Sequence, residues 1–315
     1  MNQSDQIEHD FSPFIRVYKN GRVERLLGVS SVPASVDPQT GVESKDVVIS
    51  PETGLSARLY LPKLSDTLQK IPTLVYYHGG GFCIESAFSP TYHRYLNSLV
   101  AEANIVAVSV EYRLAPEHRL PIAYDDSWAA LQWVASYASG GGPEAWLTDH
   151  ADFDRLIVSG DSAGANIAHN LAMRAGREGV GHGVKINGAI LIHPYFWGSQ
   201  PVGMEVSFRK EGKPDLWTYL CPSTTGLDDP LVNPVADGAP DLSGLGCTRV
   251  LVCVAENDFL KERGWIYYRA LESSGWKGTL EMYAVEEEGH VFHLFKPTCE
   301  NAGLMLKRLA AFFNK

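Results

Sequence analysis

The chain lacks any apolar run near the roughly 18 residues that a membrane span requires, which excludes a helical span. It also lacks a cysteine framework. Cys83, Cys221, Cys247, Cys253 and Cys299 make an odd count of five, with no C-x-x-C spacing. Reduced and mostly buried thiols are therefore expected, as in a reducing compartment. Histidines and cysteines show no ligand spacing, so neither a metal nor another cofactor is expected. Positive charge is in deficit: 27 Lys and Arg stand against 37 Asp and Glu, a formal net charge of −10. Such a balance argues against nucleic acid or an anionic membrane as the main partner. No segment repeats at a fixed period or is low in complexity. Phosphate cradles are missing too, with neither G-x-x-x-x-G-K-[ST] nor G-x-G-x-x-G present. The stretch Met1 to Asp10 is polar and acidic. It has neither the basic start and apolar core of a secretory signal nor the Arg-rich character of a transit peptide, so a cytoplasmic location is expected.

What is present is a chain of 315 residues, 45% hydrophobic, enough for one large α/β core, and a single domain over 1–315 is expected. Residues 1 to about 45 carry little core pattern, but Asn20-Gly21 between two partly apolar runs predicts a hairpin turn. Val47-Val48-Ile49 and Leu55 to Leu61 read as antiparallel strands. Nearly continuous apolar runs follow at Thr73–Tyr77, Ile105–Val110, Leu156–Val158, Ala189–Ile192, Arg249–Ala255 and Leu280–Val285. Runs of that length suit strands buried on both faces. Helical patterns lie between them, near Thr91–Glu102, Tyr124–Ala138, Asn166–Arg174, Glu262–Ser274 and Thr298–Asn314. Strands alternating with helices predict a mostly parallel sheet covered on both faces. From about 195 to 241 the chain is rich in Gly, Pro and aromatics and reads as an insertion with short helices, not sheet.

Gly160-Asp161-Ser162-Ala163-Gly164 joins a predicted strand to a predicted helix. In that context G-x-S-x-G forms a sharp turn that exposes the serine at a helix start. A serine hydroxyl is a weak nucleophile. It needs a base, an acid to orient that base, and donors for the oxyanion. In this arrangement the chain order is serine, acid, histidine. Asp258 and His290 follow Ser162 in that order, past the ends of two predicted strands. Glu256 is the alternative acid, and His293, His169 and His193 are alternative bases. His78-Gly79-Gly80-Gly81 follows another strand, and its glycine N–H groups, with that of Ala163, are candidates to hold an oxyanion. Phe82, Tyr195, Trp197 and Trp217 lie in loops or in the insertion and are candidate pocket walls.

These motifs, with Tyr112-Arg113-Leu114-Ala115-Pro116-Glu117-His118, resemble the hormone-sensitive-lipase-like α/β-hydrolases. Asp229-Pro230, Asn233-Pro234 and the arm Phe14 to Arg25 are similar to the plant carboxylesterase branch, which includes 2-hydroxyisoflavanone dehydratase. The resemblance implies an α/β-hydrolase fold with a cap drawn from about 1–45 and 195–241. It implies a triad of Ser162, Asp258 and His290, an oxyanion hole from Gly80, Gly81 and Ala163 with Gly79 beside them, and Arg113 and Glu117 bracing that loop. The expected activity is serine carboxylesterase on a small, mostly apolar ester. The alternatives are a dehydratase or cyclase of plant specialised metabolism in the same pocket, or a gibberellin-receptor-like binder. The intact serine and histidine favour hydrolysis.

Overall fold

A computed structural model describes residues 6–65, 69–209 and 215–315. The parts of the expected cap at 1–5 and 210–214 lie outside these described residues. The arm folds into three strands, β1 (Ile7–Phe11), β2 (Ile15–Tyr18) and β3 (Val23–Arg25), paired antiparallel in that order. The predicted Asn20-Gly21 turn joins β2 to β3, with Gly21 at φ +80°. Phe11, Ile15 and Val17 are buried, although this region shows little core pattern in sequence. Three short strands cannot bury a side of their own, so these side chains pack into the main core.

The main sheet begins with β4 (Glu43–Ser50), β5 (Leu55–Leu61) and β6 (Ile71–Tyr77). Helix α1 (Pro90–Ala103), β7 (Val106–Glu111), α2 (Ile122–Ser136) and the short α3 (Ala145–His150) follow. Then come β8 (Ala151–Asp161), α4 (Ala163–Glu178) and β9 (Ile186–Ile192). The insertion carries only α5 (Glu205–Phe208) and α6 (Leu216–Leu220). The chain closes with β10 (Cys247–Ala255), α7 (Lys261–Ser273), β11 (Thr279–Val285), α8 (Phe292–Phe295) and α9 (Glu300–Phe313).

Eight strands line up in the order β11-β10-β9-β8-β6-β7-β5-β4. The pairs from β11 to β7 are parallel, and β7–β5 and β5–β4 are antiparallel. β6 is buried at every position, as its continuous apolar run requires for a central parallel strand. One face is covered by α2, α4 and α7, whose Leu131, Leu171 and Leu271 share a core. The other is covered by α1 and α9, through Leu96, Val100, Leu309 and Phe312. This is the mostly parallel α/β sheet the sequence predicts. α5 and α6 are short helices of the kind expected in the insertion, whereas α3 and α8 have no sequence signature, because four to six residues are too few to show a helical period. No helix among the described residues is long and apolar enough to cross a membrane.

The insertion is tied down by charge. Glu205 of α5 is fully buried and takes a bidentate pair from Arg263 of α7, at 2.7 and 2.9 Å. Arg263 Nη2 also donates to Gln200 O, and Arg209 reaches the same carboxylate at 3.3 Å. Removing one partner of such a pair strands a charge in the interior. Arg263→Met is expected to lower the unfolding free energy by about 3–5 kcal/mol, read from urea unfolding. A loss below about 1 kcal/mol would show that the pair is not holding the insertion.

Candidate active site

β8 ends at Asp161 and α4 starts at Ala163, so Ser162 alone makes the turn between them. Its backbone sits at φ 52°, ψ −116°, which for a residue with a side chain costs on the order of 1–3 kcal/mol. Surrounding bonds hold it there. Ser162 N–H donates to Ile192 O at 2.9 Å, and Ser162 O accepts from Tyr195 N–H at 3.0 Å. The flanking glycines are needed because backbone passes where side chains would stand. A Cβ at Gly164 would run into the carbonyl of Tyr77, and one at Gly160 would meet both that carbonyl and Gly164. The turn is therefore possible only with β6 and α4 in close contact.

His290 Nε2 lies 2.9 Å from Ser162 Oγ, and His290 Nδ1 lies 2.8 Å from Asp258 Oδ2. Asp258 follows β10 and His290 follows β11, so three separate strand ends converge. The Asp258 side chain is buried, and its Oδ1 accepts the N–H of Leu260 at 2.9 Å. Burial pushes its carboxyl pKa up. The charge and hydrogen bond of His290, with smaller contributions from His193 and the Leu260 N–H, outweigh that and hold it below the usual carboxylate range. An ionised Asp258 accepts from His290 Nδ1–H, which leaves the Nε2 lone pair to accept from the serine hydroxyl.

The alternatives are placed elsewhere. Glu256 accepts the N–H of Glu287 at 2.8 Å. His169 is buried against Tyr267 Oη at 3.0 Å, and His293 is buried beneath α1 beside Tyr95. His193 stands behind Asp258, with Nδ1 3.9 Å from Oδ2. His193, Asp258 and His290 bring ligand-type atoms within 4.8 Å of one another, the kind of grouping that can hold a cation. Here His290 Nδ1 is engaged by Asp258 and His193 Nδ1 by the Val291 N–H, so neither nitrogen has a free lone pair to offer.

The loop after β6 turns through three successive left-handed residues, Gly80 at φ 103°, Gly81 at 57° and Phe82 at 62°. No hydrogen bond among the described residues takes up the N–H of Gly80, Gly81 or Ala163. Gly79 differs from expectation. Its N–H donates to Tyr92 Oη at 2.7 Å and Asp161 Oδ1 at 3.2 Å, so it anchors the loop and has no donor left for an oxyanion. Asp161, which sequence reasoning passed over, is the post to which this loop is tied. It also accepts from Tyr76 Oη at 2.7 Å and Tyr92 Oη at 2.9 Å.

A second brace comes from the arm. Arg25 donates to Cys83 O at 2.8 Å and forms a bidentate pair with Glu117, at 2.8 and 2.7 Å. Glu117 thus braces the loop through Arg25, as the resemblance implies in part. Arg113 instead pairs with Asp126 of α2, at 2.7 and 2.8 Å. The arm residue could not be found by motif, because its partner lies 92 positions away.

The expected pocket walls form a chain of rings. Phe82 meets Tyr195 and Trp217 at 6.1 and 6.0 Å, and Tyr195 stacks on Trp197 at 6.3 Å. Trp197 meets Phe259, which lies 5.5 Å from the ring of His290. Phe82 and Trp217 are only 1% exposed, so they support the wall from behind while the partly exposed Tyr195 can face a ligand. Gly81 adds two neighbours that the sequence did not suggest: a Cβ there would sit 3.4 Å from Leu216 and 3.7 Å from Phe14. A cavity of about 260 Å³ lies along α4 beside Arg174 and Leu231 and includes none of Ser162, Asp258 and His290. The hydrogen-bond geometry, not that cavity, marks where chemistry can occur.

Burial pushes the Asp161 carboxyl pKa up to about 6, against the Tyr76 and Tyr92 hydrogen bonds, the His290 charge and the Gly79 N–H. Its folded value thus exceeds the unfolded value of about 3.9. Between those values the folded state binds the proton more tightly, so stability falls as pH rises through that window. Asp161→Asn cannot ionise. The unfolding free energy of the parent, relative to that variant, is expected to fall by about 2–3 kcal/mol between pH 4 and pH 7. Urea unfolding at both pH values checks this, and parallel slopes would contradict it.

Residues 74–294 match the family described as alpha/beta hydrolase fold. The chain is 50% identical to "Probable carboxylesterase 2" of Arabidopsis thaliana, over 98% of this chain and 97% of that protein. It is 49% identical to "2-hydroxyisoflavanone dehydratase" of Glycyrrhiza echinata, over 98% and 97% of the two chains. Among solved structures it is similar to EstE1, a thermostable carboxylesterase cloned from a metagenomic library. The TM-score is 0.71 and the identity 29%, with 90% of each chain covered. These matches and the eight-stranded sheet lead to one conclusion: the chain belongs to the α/β-hydrolase fold family, in the group that holds the plant carboxylesterases and 2-hydroxyisoflavanone dehydratases.

Proposed function

We propose that the protein is a serine carboxylesterase acting on a small, mostly apolar ester through an acyl-enzyme. The observation that carries this is the unbroken chain Ser162 Oγ, His290 Nε2, His290 Nδ1, Asp258 Oδ2, with links of 2.9 and 2.8 Å. Ser162 Oγ attacks the ester carbonyl carbon while its proton passes to His290 Nε2. The carbonyl oxygen becomes an oxyanion. Its donors are the N–H groups of Gly80, Gly81 and Ala163; what supports them is that none is otherwise bonded among the described residues. Ala163 also opens α4, whose N-terminal dipole favours negative charge. His290 then protonates the leaving alkoxide oxygen. Water, deprotonated by the same nitrogen, attacks the acyl carbon, and the carboxylate leaves as Ser162 recovers its proton. Asp258 holds the imidazole tautomer and stabilises its cation.

The cap over this site is drawn from about 1–45 and 195–241 of one domain. Phe14 and Leu216 beside Gly81, and Phe11 and His9 packed on Tyr219, support that reading. Tyr195 and the rings behind it favour an apolar substrate group. The five free cysteines support a reducing compartment, for which we propose the cytoplasm.

A dehydratase reading is kept because one relative at 49% identity carries that name. There His290 would remove a carbon-bound proton, and no acyl-enzyme would form. One variant separates the two. Ser162→Ala is expected to lower kcat/KM for p-nitrophenyl acetate by at least about 10³-fold. Near-parental hydrolysis would sink the esterase reading. Retained conversion of 2-hydroxyisoflavanone by the same variant, with hydrolysis lost, would establish the second.

A further inference from the structure

His193 lies just past β9 and has no part in the proton transfers above. It nevertheless contacts Asp258 and the residue after His290, and its chain neighbours hold the turn at Ser162. Its neighbours grip the turn at the serine, since Ile192 O accepts the Ser162 N–H at 2.9 Å and Tyr195 N–H donates to Ser162 O at 3.0 Å. Its own N–H donates to Cys253 O at 2.9 Å, in the strand that leads to Asp258. Its ring is buried, 5.8 Å from the ring of His290 and with Nδ1 3.9 Å from Asp258 Oδ2. That Nδ1 accepts the N–H of Val291 at 2.8 Å, and Val291 directly follows His290.

Val291 is a β-branched residue at φ 46°, in the left-handed region where its side chain is crowded. Such a conformation persists only where the surroundings over-determine it. His193 itself sits at φ 47°. Two strained residues are thus joined by one hydrogen bond, directly behind the candidate base. An accepting Nδ1 places the ring proton on Nε2. Burial, which disfavours the cation, keeps His193 in the neutral form that can accept.

We propose that His193 is a positioning residue for the candidate base. Its Nδ1 lone pair holds the Val291 N–H and so keeps His290 Nε2 within hydrogen-bond distance of Ser162 Oγ. The assignment rests on the serine-esterase reading. If His193 only fills space, its substitution should move the melting temperature and leave turnover alone. If it positions His290, turnover should fall with little change in substrate binding. Displacing a reacting group by about 1 Å can cost on the order of 10²-fold.

The test compares His193→Asn and His193→Gln with the parent and with Ser162→Ala, on p-nitrophenyl acetate. Asn Oδ1 branches from Cγ as Nδ1 does, and Asn tolerates left-handed backbone, so it can accept the same N–H. Gln carries its amide one atom further out and cannot. Gln is expected to lower kcat by about 10- to 100-fold with KM within about threefold, and to slow organophosphate labelling of Ser162 alike. Asn is expected to keep kcat within about threefold of the parent. Parental kcat in the Gln variant overturns the assignment, as does an equal loss in both variants with melting temperatures near the parent's. Should Gln fail to fold, His193→Gly, which tolerates the left-handed backbone and has no acceptor for the Val291 N–H, takes its place: a tenfold or larger loss of kcat at unchanged KM upholds the assignment, and parental kcat overturns it. Parental hydrolysis by Ser162→Ala would instead overturn the esterase reading, and the assignment with it.

Discussion

The contact on which the site depends is the approach of the α4 backbone to the carbonyl of Tyr77, at the end of β6. Gly164 can lie against that carbonyl only because it has no side chain. This approach lets Ser162 turn from strand to helix in one residue, at positive φ. It also brings the start of α4 beside the loop that leaves β6. A Cβ at Gly164 would meet the carbonyls of both Tyr77 and His78, so the start of α4 lies against the stem of that loop because of a packing constraint. The strain at Ser162 is offset by bonds to Ile192 and Tyr195, from the end of the next strand.

Two buried carboxylates flank this turn, and their surroundings give them different work. Asp258 faces an imidazole that can carry positive charge, and that partner holds its pKa down despite burial. It is suited to stabilising a cation formed during proton transfer. Asp161 faces two tyrosine hydroxyls and one backbone N–H. These donors are neutral and only partly offset desolvation, so its pKa rises. Its work is structural: it ties the Gly79 peptide to α1 through Tyr92, and so fixes the stem of the loop whose next two N–H groups are taken up by no hydrogen bond among the described residues.

The arm and the insertion stand in a different relation to the sheet. Among the described residues β1–β3 and the insertion contribute no strand to it, yet both segments reach the loop after β6. Arg25 clamps that loop by its backbone and by Glu117, while Phe14 and Leu216 lie beside Gly81. The insertion is anchored at its other end by the buried Glu205–Arg263 pair. These two segments can thus vary while the sheet and the hydrogen-bonded chain stay as they are.

The sequence by itself determined the sheet strands, the long helices and the chain order of Ser162, Asp258 and His290. It could do so because buried strands need unbroken apolar runs and the sharp turn needs glycine at two set places. Those requirements are local, so they are written in consecutive residues. Tertiary structure alone decided what depends on approach between distant segments. That includes the occupied N–H of Gly79, the roles of Asp161 and Arg25, the place of His193 behind Asp258, and the burial of Phe82 and Trp217. Hydrogen bonds at those positions join residues from 13 to 98 positions apart, and no local spacing encodes such a contact. The G-x-S-x-G stretch identifies the nucleophile candidate, but whether its hydroxyl meets a base is settled by three strand ends meeting at one edge of a folded sheet.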